Sequence, residues 1–148
     1  MRRVFLIGCL VVAGGLLIVL NERRPDQAQD ASSGETTALV SVTLPSALSD
    51  TAQVGAKIFE AKCAACHGSN GQGQDGVAPP LIHKIYEPSH HGDESFQRAV
   101  ALGVRQHHWP FGNMPKVEGL TRADVAMIVS YIREVQRENG INWKRERQ

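Results

Sequence analysis

The sequence predicts an all-α fold with long irregular loops. Three observations carry that reading. Apolar residues recur at three- and four-residue spacing in segments that open on capping side chains, most clearly at Val125, Ile128, Val129, Ile132 and Val135. Strand-like alternation is seen at Val40-Ser41-Val42-Thr43-Leu44, but Pro45 ends it and no partner segment is evident. Between the periodic segments lie two stretches without periodicity, 68–92 and 104–119, the first holding five glycines and three prolines. Formal net charge over the 148 residues is +1, and from Thr51 onward 12 basic residues face 10 acidic ones. That balance is too weak to argue for nucleic acid or for strong steering toward an acidic partner.

The elements follow in order. Arg2 and Arg3 precede an unbroken apolar run of 17 residues, 4–20, closed by Asn21-Glu22-Arg23-Arg24-Pro25. Its length is at the short end for a bilayer-spanning helix and slightly long for a signal-peptide core. No small-residue cleavage site follows it, so residues 1–20 are expected to remain as a single N-terminal transmembrane anchor, in preference to a removed signal peptide. Leu6-Ile7-Gly8-Cys9 resembles a lipobox but lies too near the start, and Cys9 reads as a thiol buried in lipid. Arg2 and Arg3 hold the N-terminus in the cytoplasm, although Arg23 and Arg24 weaken the asymmetry. The remainder is therefore expected on the periplasmic side of an inner membrane, where disulfides can form. Residues 21–50, rich in Ala, Ser, Thr, Gln and Asp, read as a flexible tether with a reach of roughly 30 Å.

A folded domain is expected over 51–140, with 141–148 as a charged tail. Asp50 can cap a first helix, with Gln53 in the capping-box position, and Gly55, Ile58, Phe59 and Lys62 share one face before the helix runs into Cys63. A second helix is expected over 94–102, capped by Asp93 and stopped by Gly103. Thr121 caps the last helix, with Asp124 at the box position and Leu120 and Val125 able to staple across its start. Asn139-Gly140 ends it. Three short helices over about 90 residues bury little apolar surface. Loops this long in a compact domain call for a non-protein organiser, and a large, flat, apolar cofactor would serve.

Lys62 to Gly68 reads KCAACHG. A zinc site would need a fourth ligand at a familiar spacing, but no second C-x-x-C exists and His67 abuts Cys66, which makes a shared tetrahedron awkward. A thioredoxin-like dithiol wants a strand before it, and here a helix precedes. Haem attachment fits. One helical turn separates Cys63 from Cys66, matching two thiols that add across the vinyl groups on one porphyrin edge, and His67 follows to reach the iron.

With Gly55, Phe59, Cys63, Cys66 and His67 in that spacing, residues 51–136 resemble a class I c-type cytochrome of the monohaem, membrane-anchored bacterial type. The resemblance implies three to four helices wrapped round one covalently bound haem c. It pairs Gly55 and Phe59 with Ile128 and Tyr131 of the last helix. It also implies that Pro79 and Leu81, in Pro79-Pro80-Leu81, belong to the haem site, with the Pro79 carbonyl accepting a hydrogen bond from His67. Ala78 departs from the glycine often found there, so the local turn is expected to differ slightly. Gly112-Asn113-Met114-Pro115 resembles the family's methionine segment and makes Met114 the distal ligand opposite His67. Met114 stands in a loop where a thioether has no packing reason to be, whereas Met127 reads as core. A histidine could compete, since His83, His90, His91, His107 and His108 all lie in loops, although each alone reads as a solvated side chain. Thioether ligation raises the reduction potential relative to two imidazoles. Arg105, His107, His108 and Trp109 are candidates for the propionate end, and the small Ala64 and Ala65 for the exposed haem edge.

Two other patterns are set aside. Gly71-Gln72-Gly73-Gln74-Asp75-Gly76 matches a dinucleotide fingerprint without the strand or helix it needs. Copper handling by the histidines and Met114 would leave CAACH unexplained. The resemblance implies an electron-transfer protein with no catalytic residues, carrying single electrons between respiratory or dehydrogenase complexes at the membrane. A permanent haem-bearing subunit of a larger oxidoreductase is the alternative, followed by a haem enzyme or gas sensor with an open distal site.

Overall fold

A computed structural model of the protein describes residues 37–142. The described residues contain four helices: α1 (Asp50–Lys62), α2 (Ala64–His67), α3 (Asp93–Leu102) and α4 (Arg122–Glu138), with single 3-10 turns at Ser69–Gly71 and Lys84–Tyr86. Among the described residues there is no strand, only the isolated antiparallel bridges Gln74↔Ala78 and Val104↔Met114. Nor is any helix among them long and apolar enough to cross a membrane. The expected anchor 1–20, residues 21–36 of the expected tether and 143–148 of the expected tail lie outside the described residues.

The crossing of α1 on α4 forms the core. Gly55 is needed there because a Cβ at that position would lie 1.9 Å from the Met127 carbonyl oxygen, on backbone that cannot give way. Alanine would gain about 1 kcal/mol of helix propensity. Overpacking a core costs about 1–3 kcal/mol or more, so glycine wins. One turn on, Phe59 meets Tyr131 with ring centroids 5.6 Å apart, and Ile128, Ile132 and Val135 complete the buried cluster. The expected pairing of Gly55 and Phe59 with the last helix is therefore present. Met127, expected in the core, is half-buried.

Helix starts show where local pattern suffices. The α4 capping box forms as expected: Asp124 N–H donates to Thr121 Oγ1, and Thr121 N–H donates to Asp124 Oδ2 at 2.8 Å. At α1 the cap is Ser49, one residue before the expected Asp50, with Ala52 N–H donating to its hydroxyl. The shift has a distant cause. Ser49 Oγ–H and N–H donate to the two carboxylate oxygens of Glu134 on α4, at 2.7 and 3.1 Å. At α3 the cap is Gly92 and Asp93 is the first helical residue, because the Asp93 carboxylate accepts from Arg133 Nε at 2.9 Å.

The expected tether boundary also moves. Residues 37–49 lie along the domain: Val40 N–H donates to Gln72 O, Asp75 N–H donates to Thr37 O, and Thr43 exchanges two hydrogen bonds with the Asn139 side chain. Val42 and Leu48 pack against the core. These long-range bonds are invisible in the sequence, where the short alternation at 40–44 names no partner.

The loop 68–92 has organisers in the protein itself. Arg133, 8% exposed on α4, donates to the carbonyls of Tyr86 and His91 and to Gln136 Oε1, and its guanidinium sits 5.0 Å from the Phe96 ring centre. The fully buried Gln136 amide donates to Leu81 O and Tyr86 O. Each of those acceptors, if stranded, would cost about 1–3 kcal/mol. Two polar side chains on the apolar stripe of α4 thereby fix a loop of some two dozen residues.

Candidate functional site

A cavity of about 520 Å³ lies between the C-terminal end of α1 with α2 and the chain from 98 to 117. Cys63, Cys66, His67, Pro79, Leu81 and Met114 all line it. These six residues are therefore brought to one place.

Local structure explains the thiol end. Cys63 N–H donates to Phe59 O and closes α1, while His67 N–H donates to Cys63 O within the following turn. That turn puts both sulfurs and the imidazole on the cavity wall. Gln74 fixes it from outside, its amide donating to the carbonyls of Ala64 and Ala65 at 3.2 and 2.9 Å. Gly73 N–H donates to His67 O at 2.7 Å; a Cβ there would strike the Pro80 backbone at 2.6 Å. Ala64 is buried, whereas Ala65 and Cys66 are exposed, so only the second of the two alanines lies at the surface as expected. The two sulfurs are not joined as a disulfide. Burial pushes the Cys63 thiol up to about 11, with the neighbouring Cys66 adding to the effect.

His67 is buried and its Nδ1–H donates to the Pro79 carbonyl at 2.9 Å. That bond fixes the tautomer and leaves the Nε2 lone pair free. Burial lowers the imidazole below its ordinary value, more than the Pro79 carbonyl raises it. A neutral imidazole is what a metal donor must be. Pro79 is presented by a loop that accommodates Ala78 without strain: Ala78 exchanges backbone bonds with Gln74, and Asn70 is the one described non-glycine residue with positive φ.

Met114 is placed by a backbone pair, Val104 N–H to Met114 O at 2.9 Å and Met114 N–H to Val104 O at 3.0 Å. The approach depends on Gly103, whose φ is +75° and whose Cβ would lie 2.6 Å from Met114 O. The sequence had marked Gly103 only as a helix stop.

Arg105, His107, His108 and Trp109, the expected propionate candidates, line the same cavity. Trp109 Nε1 is buried with no acceptor of good geometry. It does lie close enough to the Tyr86 hydroxyl to offset in part the burial that pushes that group up to about 12. Of the histidines that could compete with Met114, His91, His107 and His108 line the cavity, whereas His83 and His90 do not.

Two thiols, a neutral imidazole, a thioether and an indole N–H lacking a good acceptor, all set in one largely apolar cleft, fit a covalently held haem with acidic substituents. Sequence reasoning missed Gln74, Arg133 and Gln136. For Arg133 and Gln136 the available signal was a polar residue among the apolar ones of α4. The family model described as Cytochrome c matches residues 52–136. No curated protein matches the chain.

Proposed function

Because the chain belongs to the cytochrome c family and carries haem c, we propose that this electron-transfer protein is a single-haem shuttle. On this reading it is held to the periplasmic face of the inner membrane by its N-terminal run and docks transiently on respiratory or dehydrogenase complexes. The observation that carries the shuttle reading is the meeting of His67 and Met114 in one cavity with Cys63 and Cys66.

Haem supplies reversible one-electron chemistry at its iron. The chain supplies the rest. Cys63 and Cys66 would hold the group through thioethers, and His67 Nε2 and the Met114 sulfur would be the chain's donors to its iron. With both donors supplied by side chains, no position would remain for a substrate, and the site would pass electrons only. The Pro79 carbonyl keeps His67 in one tautomer and strengthens it as a donor. Phe59, Leu81 and Ile128 keep the wall apolar, which with the axial pair sets the potential.

The test is optical. The oxidised protein is expected to show the weak sulfur-to-iron charge-transfer band, and Met114→Ala to lose it and to bind carbon monoxide when reduced. Carbon monoxide binding by the untreated reduced wild type would overturn the reading in favour of an open distal site.

A further inference from the structure

Four histidines from two loops gather beside the cavity mouth. His90 and His91 precede α3; His107 and His108 follow Val104. The rings of His90 and His108 lie 5.3 Å apart, those of His91 and His108 5.2 Å, and those of His90 and His91 4.7 Å. More telling is where the nitrogens point. His90, His91 and His108 each bring a ring nitrogen within 4.8 Å of the other two. The His90 and His108 Nε2 atoms are 3.4 Å apart.

We propose that His90, His91 and His108 form a surface zinc site of three imidazoles at the rim of the haem cavity, its fourth position left to solvent. The spacing supports this. Two imidazoles on a tetrahedral zinc, with bonds of about 2.0–2.1 Å, place their nitrogens about 3.4 Å apart. A square arrangement at the same bond length would bring them to about 2.9 Å. Ring packing alone needs no convergence of nitrogens, and an N–H···N hydrogen bond between His90 and His108 would account for that pair without bringing in His91.

The site is also built from behind. His91 Nδ1–H donates to Ile85 O at 2.6 Å, which leaves Nε2 as the free donor atom, the pattern by which ligating histidines are oriented. The backbone of both His90 and His91 donates to Glu87 O, and the His91 carbonyl accepts from the buried Arg133. Across the mouth, Gln106 N–H donates to Asn113 Oδ1 and Gly112 N–H donates to Gln106 Oε1, bracing the loop that carries His108. A zinc ion here would clip the 90–91 loop to the 107–108 loop. It would also add fixed positive charge beside the haem, which disfavours the oxidised iron and raises the potential.

The haem-loaded full chain, stripped with a chelator, provides the test. Titration with Zn²⁺ is expected to show one ion bound per chain, with Mg²⁺ giving no signal. His90→Ala and His108→Ala, both at exposed positions, should each weaken zinc binding by more than about tenfold. The reduction potential should rise on zinc addition in the wild type and stay put in both variants. No zinc binding by the wild type, or binding unchanged in both variants, overturns the site. The sulfur-to-iron band, read on the same samples, separates that failure from a failure of the haem reading.

Discussion

Single atoms decide the shape of this cavity. Gly103 is the sharpest case, because its missing Cβ is what lets the chain lie against Met114 O. Gly103→Ala combines a backbone at φ +75° and ψ 179°, a region essentially confined to glycine and costing about 1–3 kcal/mol, with a clash against main chain. The expected result is displacement of Met114: the oxidised variant loses most of its sulfur-to-iron band while its thioether-linked haem is retained. Full retention of the band would show that the Met114 segment is positioned by something other than this contact. The haem-attaching motif was legible because its parts are adjacent in sequence. The support behind it was not, since Gln74, Arg133 and Gln136 reach partners up to 55 residues away. The histidines illustrate the same limit, for each alone reads as solvated and only the fold makes neighbours of His90 and His108.

Helix ends follow the same rule of locality. The α4 box was readable because Thr121 and Asp124 satisfy each other within one turn. The starts of α1 and α3 were misplaced by one residue because Glu134 and Arg133 recruit the capping-type side chains Ser49 and Asp93 from across the fold. The box also has a pH signature. Hydrogen bonds from Thr121 backbone and hydroxyl hold the Asp124 carboxyl below its ordinary value of 3.8. A depressed carboxyl contributes stability that is present above its unfolded value and lost as pH falls through the folded one. Asp124→Asn should therefore lower stability at neutral pH and flatten its decline below about pH 4. Urea melts at pH 6 and pH 3 would check this; an unchanged acid slope counts against the box.

For the molecule as a whole, the domain begins earlier than its periodic sequence. The strap 37–49 wraps the α1 and α4 core, with Val42 and Leu48 half-buried against it. Burial of those two side chains is worth about 2 kcal/mol together, and the bonds through Thr43 and Ser49 add to it. A chain that starts at Asp50 is expected to melt about 10 °C or more below one that starts at Thr37; equal melting temperatures in the haem-loaded forms would show the strap to be dispensable. The all-α architecture was legible from periodicity, yet the strap was not, because its ties run to residues 72, 75, 134 and 139 and the short alternation at 40–44 points to none of them. One small surface detail sets the reach of everything inside. Ala65 is exposed next to Cys66, and a single methyl is the thinnest cover a chiral residue can give. On the shuttle reading, an incoming redox centre could thus come close to the Cys66 attachment point. A bulkier residue at that position would act as a spacer, and tunnelling, which decays exponentially with separation, would slow far more than in proportion to its girth.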